Sequence, residues 1–266
     1  SKKIIVVGGV AGGASVAARA RRLDESAKII MYEKGPNVSF SNCALPYHLS
    51  GMIPNADDIV LMDPVQFKRQ YNIDAIVNHE VISIDAVNRA VTIKNMQTGE
   101  TAIDHYDDLF LSPGAVPILP KSIKGIDGSN VFTIRNVDDI KALGDVLKKC
   151  SISNISVIGG GFIGVETAEN LVKGGYHVNL VEGADHILAT IDQDMAQVVQ
   201  KTILDNKVNL IVRDTLTAIG KHSITLASGQ ELPSDIVIMA IGVKADTTLA
   251  RKSGIKLGKT GSIQVN

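Results

Sequence analysis

One cysteine lies in a segment whose residue types could carry redox chemistry. Cys43 sits within residues 38–48, and the only other cysteine in the 266-residue sequence is the distant Cys150. An intrachain dithiol needs a second sulfur a few residues away, but the nearby positions hold Pro46 and His48. If Cys43 cycles between oxidation states, its partner must therefore be a sulfur from another molecule, or oxygen.

The two cysteines also bear on the cellular compartment. They are too few and too far apart for a disulfide framework, which predicts a cytoplasmic protein whose cysteine chemistry is catalytic rather than structural. Cys150 follows two lysines at the end of a predicted helix, and we interpret it as a bystander. For Cys43, the alternative of a small buried apolar side chain stays open on residue type alone. His48 is interpreted as a packing or hydrogen-bonding residue, with contact to a substrate as the alternative.

A glycine-rich turn before this segment is typical of a nucleotide-binding unit. Residues 3–7 consist of a lysine and then a β-branched apolar run, as in a strand buried on both faces, and residues 8–13 are mostly glycine. A helix-forming stretch follows, and the next predicted strand ends in Glu33, where a dinucleotide fold places a carboxylate against a ribose hydroxyl. Val10 occupies the middle glycine position of G-x-G-x-x-G, so a tight strand-to-helix turn without a ligand is the alternative.

A second turn of the same kind lies far along the chain. Residues 159–164 satisfy G-x-G-x-x-G between a predicted strand and a predicted helix over 165–173. The following strand, 177–182, ends in Glu182. This carboxylate would repel a phosphate on the ribose 2′-oxygen, and no arginine follows in residues 183–186. The sequence therefore favours NADH over NADPH, with NADPH still possible.

Composition narrows the class of partner. The chain has 45% hydrophobic residues, a formal net charge of −1 and no block of like charge, so a small molecule is expected rather than nucleic acid or an anionic membrane.

The start of the chain is basic and then apolar, as in a secretory signal, but glycines interrupt the apolar run and arginines follow, which argues against a signal. No run approaches the roughly 18 apolar residues of a membrane span. We expect no metal site.

The two glycine turns form an internal repeat of long period. Residues 81–84 and 90–93 lie between them and read as strand segments, with turns predicted at 88–89 and at 98–99. Two further apolar runs, 109–111 and 236–241, each lead into glycine. The repeat predicts an α/β fold with two Rossmann-like dinucleotide-binding domains.

These motifs resemble the pyridine nucleotide–disulfide oxidoreductase family along essentially the whole chain. The resemblance implies FAD at the first turn, NADH at the second, and crossover motifs at 112–114 and 241–242. Residues 39–47 are similar to the single-cysteine branch, which contains the coenzyme A disulfide and coenzyme A persulfide reductases. NADH oxidases and peroxidases form the neighbouring branch.

The resemblance also implies a domain order, with the second domain inserted in the first. Residues 1–117 would be the first part of the FAD-binding domain, 118–243 the NAD(P)H-binding domain, and 244–266 an incomplete return to the FAD domain. The family's C-terminal dimerisation domain is not in the sequence. We therefore expect a truncated chain whose parent is a homodimer.

Site residues follow from the repeat and the resemblance together. The catalytic residue is Cys43. The expected FAD-binding residues are Gly8, Val10, Ala11, Gly12, Gly13, Glu33, Lys34, Val81, Ser112, Pro113 and Gly114. The expected NADH-binding residues are Gly159, Gly161, Phe162, Ile163, Gly164, Glu182 and Gly242. The expected substrate-binding residues are Ser15, Arg19, Arg22, Ser39 and Asn42. Arg19 and Arg22 lie on one predicted helix face, where a solvated surface is the alternative to holding coenzyme A phosphates.

Three functional hypotheses result. The favoured one is NADH-dependent, FAD-dependent reduction of coenzyme A disulfide or persulfide through Cys43. The second is an NADH oxidase or peroxidase that cycles Cys43 through a sulfenic acid. The third, from another class, is a nucleotide-binding fragment without catalysis.

Overall fold

The computed structural model describes residues 1–149 and 151–265, and these divide into two compact units. Our interpretation of Cys150 lies outside the described residues. The first unit comprises Ser1–Ser41, Val60–Val116 and the chain from Ala245 onward. The second unit comprises Asn42–Ile59 and Pro117–Lys244. The unit divisions near 117 and 244 lie within one residue of the predicted domain boundaries, whereas residues 42–59 group with the second unit.

The strands are β1 (Lys3–Val7), β2 (Lys28–Tyr32), β3 (Ile73–Ile76), β4 (His79–Asp85), β5 (Ala90–Asn95), β6 (Thr101–His105), β7 (Asp108–Leu111), β8 (Ala115–Pro117), β9 (Val131–Phe132), β10 (Asn154–Ile158), β11 (His177–Glu182), β12 (Asn209–Val212), β13 (Leu216–Ile219), β14 (Ser223–Leu226), β15 (Glu231–Pro233), β16 (Ile236–Met239) and β17 (Val243–Ala245). The helices are α1 (Ala11–Leu23), α2 (Pro64–Tyr71), α3 (Val137–Lys149), α4 (Phe162–Lys173), α5 (Gln193–Asp205) and α6 (Thr248–Lys252). Short 3-10 helices span Asn42–His48 and Ala56–Ile59. Strands and helices alternate from β1 to β3 and from β9 to β12, and runs of consecutive strands occupy the rest of the chain before α6.

A four-stranded parallel sheet organises the first unit, in the order β3-β2-β1-β7. The middle strand β1 is covered on both faces, which explains its unbroken apolar sequence. Ile4 and Val6 face the helix side, where they pack in a cluster with Ala17 of α1. Ile5 and Val7 face the antiparallel sheet β4-β5-β6 and share a second cluster with its residues.

The antiparallel sheet of this unit depends on two turns that the sequence predicts. Arg89 adopts a left-handed conformation with φ of 49° between β4 and β5, and Gly99 does so with φ of 78° between β5 and β6. Both positions allow the chain to reverse within a few residues. The predicted turns are confirmed.

The second unit repeats the parallel arrangement with five strands, in the order β12-β11-β10-β16-β9. Its central strand β10 is buried, and α4 runs beside it. A small antiparallel sheet, β13-β14-β15, contributes Leu216, Ile224 and Leu232 to the core that also holds Val181. The strands β8 and β17 form a separate two-stranded pair.

Together the two parallel sheets confirm the predicted α/β fold class, with the second unit inserted in the sequence of the first. Within residues 1–149 and 151–265, no helix combines the length and apolar character that crossing a bilayer requires.

A buried polar group ties the first unit's two sheets together. The Tyr32 hydroxyl donates a hydrogen bond to Asp104 at 2.9 Å, and the Lys3 ammonium pairs with the same carboxylate. Burial, together with this acceptor, raises the pKa of Tyr32. Burial opposes ionisation of Asp104, but the hydrogen bonds from Lys3 and Tyr32 outweigh it and lower the pKa of this carboxyl.

We expect Tyr32→Phe to lower the free energy of unfolding by about 1 kcal/mol at pH 7, because one buried hydrogen bond is lost. The folded pKa of Asp104 lies below its unfolded value of about 3.9, so its contribution is present above that pH and disappears as pH falls through the folded pKa. The difference between wild type and variant should therefore shrink below about pH 4. Urea unfolding at pH 7 and at about pH 3.5 measures both quantities.

Tyr106→Phe, on a tyrosine packed against the same cluster, is the control and should change stability by less than about 0.5 kcal/mol. A Tyr32→Phe effect independent of pH would contradict the role of the ionised carboxylate.

Candidate functional site

The first glycine turn brings strand, turn and helix into close backbone contact. Gly8 follows β1 with a φ of 90°, and a Cβ there would lie 2.0 Å from the Ser112 carbonyl oxygen. A Cβ at Gly13 would lie 1.7 Å from the Gly8 carbonyl oxygen. Both distances are far too short for any side chain, so glycine is required at both positions.

The second turn has the same construction. Gly159 has a φ of 109°, and a Cβ there would lie 2.3 Å from the Ala240 carbonyl oxygen. A Cβ at Gly164 would lie 1.8 Å from the Gly159 carbonyl oxygen. Gly161 differs, because a Cβ at this position would meet no atom within 4 Å. A side chain at Gly161 would therefore fill open space in front of the helix rather than disturb the packing.

Both turns lead into a helix whose first residues are exposed. No side-chain hydrogen bond caps α1 at Val10 or α4 at Gly161, and neither first turn contains an acidic residue. The predicted nucleotide residues Ala11, Gly12, Phe162 and Ile163 are exposed here. Helix N-termini with free N–H groups favour anions such as a pyrophosphate. The residues present at both turns fit a dinucleotide.

The two acids predicted to meet ribose hydroxyls hold the glycine turns. Glu33, which is 9% exposed, accepts hydrogen bonds from the Gly9 N–H at 2.8 Å and from the Gly35 N–H at 2.8 Å. Glu182 accepts from the Gly160 N–H at 2.6 Å and from the Ala184 N–H at 2.7 Å. These contacts were not predicted from the sequence, although in both units an acid at the end of the second strand follows the glycine turn at a similar spacing.

The crossover motifs lie beside the turns of their own units. The Ser112 and Pro113 backbone approaches Gly8, as its hypothetical Cβ contacts indicate. Gly114 has a φ of 76°, and its carbonyl accepts from the Asp246 N–H at 2.9 Å. Gly242 has a φ of 116°, and its carbonyl accepts from the Ile118 N–H at 3.0 Å.

Two other predicted FAD residues differ in exposure. Lys34 is exposed, and its ammonium lies 3.2 Å from the Asp246 carboxylate. Burial opposes ionisation of Asp246, but the hydrogen bond from Lys34 helps lower the pKa of this carboxyl. Val81 is 6% exposed and packs in the core between the two sheets of the first unit, so a ligand could reach only its backbone.

Cys43 is a free, exposed cysteine on the 3-10 helix Asn42–His48. Its exposure contradicts the alternative of a buried apolar cysteine. Leu45 and Pro46 are the buried residues of this short helix and anchor it within the second unit, where it packs against α3 and α4. The sulfur is therefore accessible while the segment that carries it is held in place.

Neighbouring side chains fix the two ends of the short helix. The side-chain oxygen Oδ1 of Asn42 accepts from the Arg135 guanidinium at 3.3 Å, so one end of the short helix is bonded to the segment that precedes α3. His48 Nδ1 lies 2.8 Å from the Ile53 carbonyl oxygen, which agrees with the predicted hydrogen-bonding role. Burial raises the pKa of Asp139, which also accepts from the Arg135 N–H at 2.8 Å.

The predicted substrate residues do not share one environment. Ser15, Arg19 and Arg22 are exposed on α1. The intervening Arg21 is structural, because its guanidinium donates to backbone carbonyls that include Tyr71 at 2.8 Å. Asn42 contacts Arg135, as described above. Ser39 has a φ of 48°, and its N–H donates to the Gly9 carbonyl at 2.9 Å, so its backbone has a structural role in the first unit.

Two Rossmann-type units, each with a glycine turn and a strand-end acid, together with the exposed Cys43 define a nucleotide-dependent redox protein class. Residues 2–266 match the family described as pyridine nucleotide-disulphide oxidoreductase, and the chain belongs to this family. The resemblance stated from the sequence is confirmed.

Individual relatives agree with this assignment. The chain is 34% identical over 264 residues to a coenzyme A disulfide reductase of Staphylococcus aureus (strain JH9), covering 99% of this chain and 59% of that protein. It matches the crystal structure of reduced Bacillus anthracis CoADR-RHD with a TM-score of 0.97 and 42% identity, over 100% of this chain and 48% of that one. It matches an NAD-dependent persulfide reductase from A. fulgidus with a TM-score of 0.95 and 31% identity, over 99% and 50% of the two chains. The chain thus spans 59% of the length of the curated relative and about half of each solved chain.

Substitution of two glycines in the second turn should separate ligand binding from folding. We expect Gly161→Ala to weaken NADH binding by at least about tenfold, because its methyl group enters the space of the pyrophosphate. Stability should fall by no more than about 1 kcal/mol, because alanine is a poorer N-cap than glycine but meets no neighbouring atom. Gly164→Ala should instead destabilise the protein by about 1–3 kcal/mol or prevent folding, because its Cβ overlaps the Gly159 carbonyl. NADH titration and urea unfolding of both variants measure this. Unchanged NADH affinity in Gly161→Ala would contradict a nucleotide at this turn.

Proposed function

We propose that the full-length protein transfers electrons from NADH through FAD to a coenzyme A disulfide or persulfide, with Cys43 as the redox-active residue. The observation that carries this proposal is an exposed cysteine, without a nearby second cysteine, in a chain that has two separate nucleotide turns. The names of the relatives support the same substrate class.

The two glycine turns divide the nucleotides between the units. The first turn, with Glu33 and the exposed start of α1, would hold the FAD pyrophosphate and adenosine ribose. The second turn, with Glu182 and the start of α4, would hold those of NADH. FAD, when bound, supplies the two-electron transfer between NADH and a sulfur centre.

Cys43 supplies the sulfur chemistry. Its thiolate attacks one sulfur of a coenzyme A disulfide, which forms a Cys43–S–S–CoA bond, breaks the substrate S–S bond and releases one coenzyme A thiolate. Two electrons that originate from NADH then cleave the mixed disulfide, restoring the Cys43 thiolate and releasing the second coenzyme A thiolate. The net change is NADH, a proton and one disulfide giving NAD⁺ and two thiols. Exposure of Cys43 permits the attack, and the absence of a cysteine at positions 46 and 48 leaves the external sulfur as its partner.

Arg19 and Arg22 are the candidates for the coenzyme A phosphates. Both are exposed and three positions apart on α1, and guanidinium groups bind phosphate in a bidentate manner. Ser15 lies on the same helix and could add a hydroxyl contact. The structural roles of Ser39 and Asn42 leave their predicted substrate contacts without support from side-chain geometry.

Two broader features also stay predictions. A homodimer formed through a further C-terminal domain rests on the family resemblance. A cytoplasmic location rests on the low cysteine content.

Replacement of Cys43 should abolish reduction of the disulfide substrate and leave oxidation of NADH by a dye acceptor intact. In the full-length protein, Cys43→Ser should reduce turnover of coenzyme A disulfide at least about 1000-fold, because a hydroxyl cannot form the mixed disulfide. Transfer of electrons from NADH to a dye acceptor should stay within about twofold of wild type, because that route does not use the sulfur. Steady-state kinetics with both acceptors test this, and Cys150→Ser is the matched control, expected to retain both activities. Substantial disulfide turnover by Cys43→Ser would refute the proposal.

The chemical form of oxidised Cys43 distinguishes the proposed function from an NADH oxidase or peroxidase. Mass spectrometry of the air-oxidised protein should find coenzyme A attached to Cys43 under the proposed function. A sulfenic acid on Cys43, without an adduct, would instead favour an NADH oxidase or peroxidase. A colourless protein that binds NADH but does not oxidise it when FAD is supplied would favour a non-catalytic nucleotide-binding role.

Discrimination between the two nicotinamide nucleotides should be electrostatic. We expect kcat/KM for NADH to exceed that for NADPH by at least about tenfold, because Glu182 repels the 2′-phosphate. Added salt should narrow this ratio, because it screens the repulsion at a partly exposed carboxylate. Steady-state kinetics with both nucleotides at low and high ionic strength provide the measurement, and similar values at low salt would contradict the role of Glu182.

A further inference from the structure

The acid in each unit belongs to a larger arrangement that is repeated between the units. In the first unit, the Ser39 N–H donates to the Gly9 carbonyl at 2.9 Å while Glu33 accepts from the N–H of the same glycine. In the second unit, the Leu188 N–H donates to the Gly160 carbonyl at 2.8 Å while Glu182 accepts from its N–H. Each second glycine is therefore held at both of its backbone polar groups.

The residues that complete this arrangement share an unusual backbone conformation. Ser39 has a φ of 48° and Leu188 a φ of 52°. Left-handed conformations are uncommon for residues other than glycine, and a bulky residue such as leucine adopts one only when its surroundings require it. Ser39 and Leu188 also occur at the same distance in sequence after their acids. The shared geometry therefore does not depend on the residue type at this position.

The side chain just before each of these residues covers the same glycine. A Cβ added to Gly9 would lie 2.7 Å from a methyl group of Val38, and one added to Gly160 would lie 2.7 Å from a methyl group of Ile187. Val38 and Ile187 are fully buried. The second glycine of each turn is thus enclosed by an acid, an apolar side chain and a backbone N–H from one loop.

We propose that Glu33 and Glu182 are positioning residues that hold the phosphate-binding turns in shape, in addition to any contact with ribose. We call the two hydrogen bonds on each glycine the glycine clamp. In the first unit the Gly9 N–H donates to Glu33 and the Gly9 carbonyl accepts from Ser39, and in the second unit the Gly160 N–H donates to Glu182 and the Gly160 carbonyl accepts from Leu188. The clamp orients the backbone that leads into the helix N-terminus, so it contributes to binding of the diphosphate itself.

The clamp and a ribose contact are compatible but separable. A carboxylate oxygen has two lone pairs, so Glu182 can accept a backbone N–H and still accept a ribose hydroxyl. If Glu182 acted only on the ribose, its loss would matter only for ligands with ribose hydroxyls. If it acts through the clamp, its loss weakens binding of a diphosphate ligand whether or not those hydroxyls are present.

The test compares ADP with 2′,3′-dideoxy-ADP as ligands of the full-length protein with FAD bound. Glu182→Gln preserves the shape of the side chain but places an NH₂ group against one of the two backbone N–H donors. We expect the affinity for dideoxy-ADP to fall by about tenfold and the affinity for ADP to fall by at least as much, since ADP would also lose any ribose contact. The matched control is Glu169→Gln on the exposed side of α4, where the same change removes only a surface pair with Lys173 and should alter neither affinity.

Amide hydrogen exchange provides a readout without nucleotide in the second unit. In Glu182→Gln, the Gly160 or the Ala184 amide should exchange at least about tenfold faster than in wild type, and Glu169→Gln should leave both rates unchanged. If Glu182→Gln fails to fold, Glu182→Asp carries the same comparisons, because its carboxylate keeps the charge but is too short to reach both donors.

Weaker binding of ADP alone, with unchanged dideoxy-ADP affinity and unchanged amide exchange, would overturn the clamp and leave a ribose contact. The inference rests on the proposed nucleotide site of the second unit. Failure of that proposal is distinguishable, because wild-type protein would then bind neither ADP nor NADH.

Discussion

The close approach of backbone at the two glycine turns is the constraint on which the rest of the structure depends. In each unit the helix begins so near the preceding strand that no Cβ fits at Gly13 or Gly164. This contact aims the helix N-terminus at the carboxyl end of the parallel sheet, where its N–H groups can meet a negatively charged ligand. The strand-end acids and the crossover segments are then arranged around the turns.

The two units share the backbone geometry of the glycine turn but differ in the side chains around it. Gly161 leaves open space in front of its helix, whereas Val10 stands at the equivalent position of the first turn. Ser39 and Leu188 adopt the same left-handed conformation although they have no chemical property in common. The backbone geometry is therefore the shared element, and the side chains are where the two units can differ in their ligands.

The sequence predicted the fold well because strong local signals coincided. In both units a buried apolar run, β1 or β10, is followed by a glycine turn, a helix and a strand that ends in an acid, so the α/β class and the nucleotide sites could be inferred. The hydrogen bonds of Glu33 and Glu182 were missed, because a family motif assigns these acids to the ligand and does not describe their contacts within the protein. The roles of Ser39 and Asn42 were also missed, since they depend on a left-handed backbone and on Arg135, which is remote in sequence.

The packing of the segment that carries Cys43 restricts which residue types positions 48 and 144 can hold together. The imidazole of His48 occupies space beside α3 that Gly144 leaves open, since a Cβ at position 144 would lie 3.1 Å from Nε2. A Cβ at 144 would require the ring to move by a few tenths of an ångström, and a larger side chain would compete with the imidazole for the same space. Evolution is therefore expected to couple these two distant positions. Homologues with a larger residue at 144 should carry a smaller one at 48, and the pair should covary in an alignment of the family.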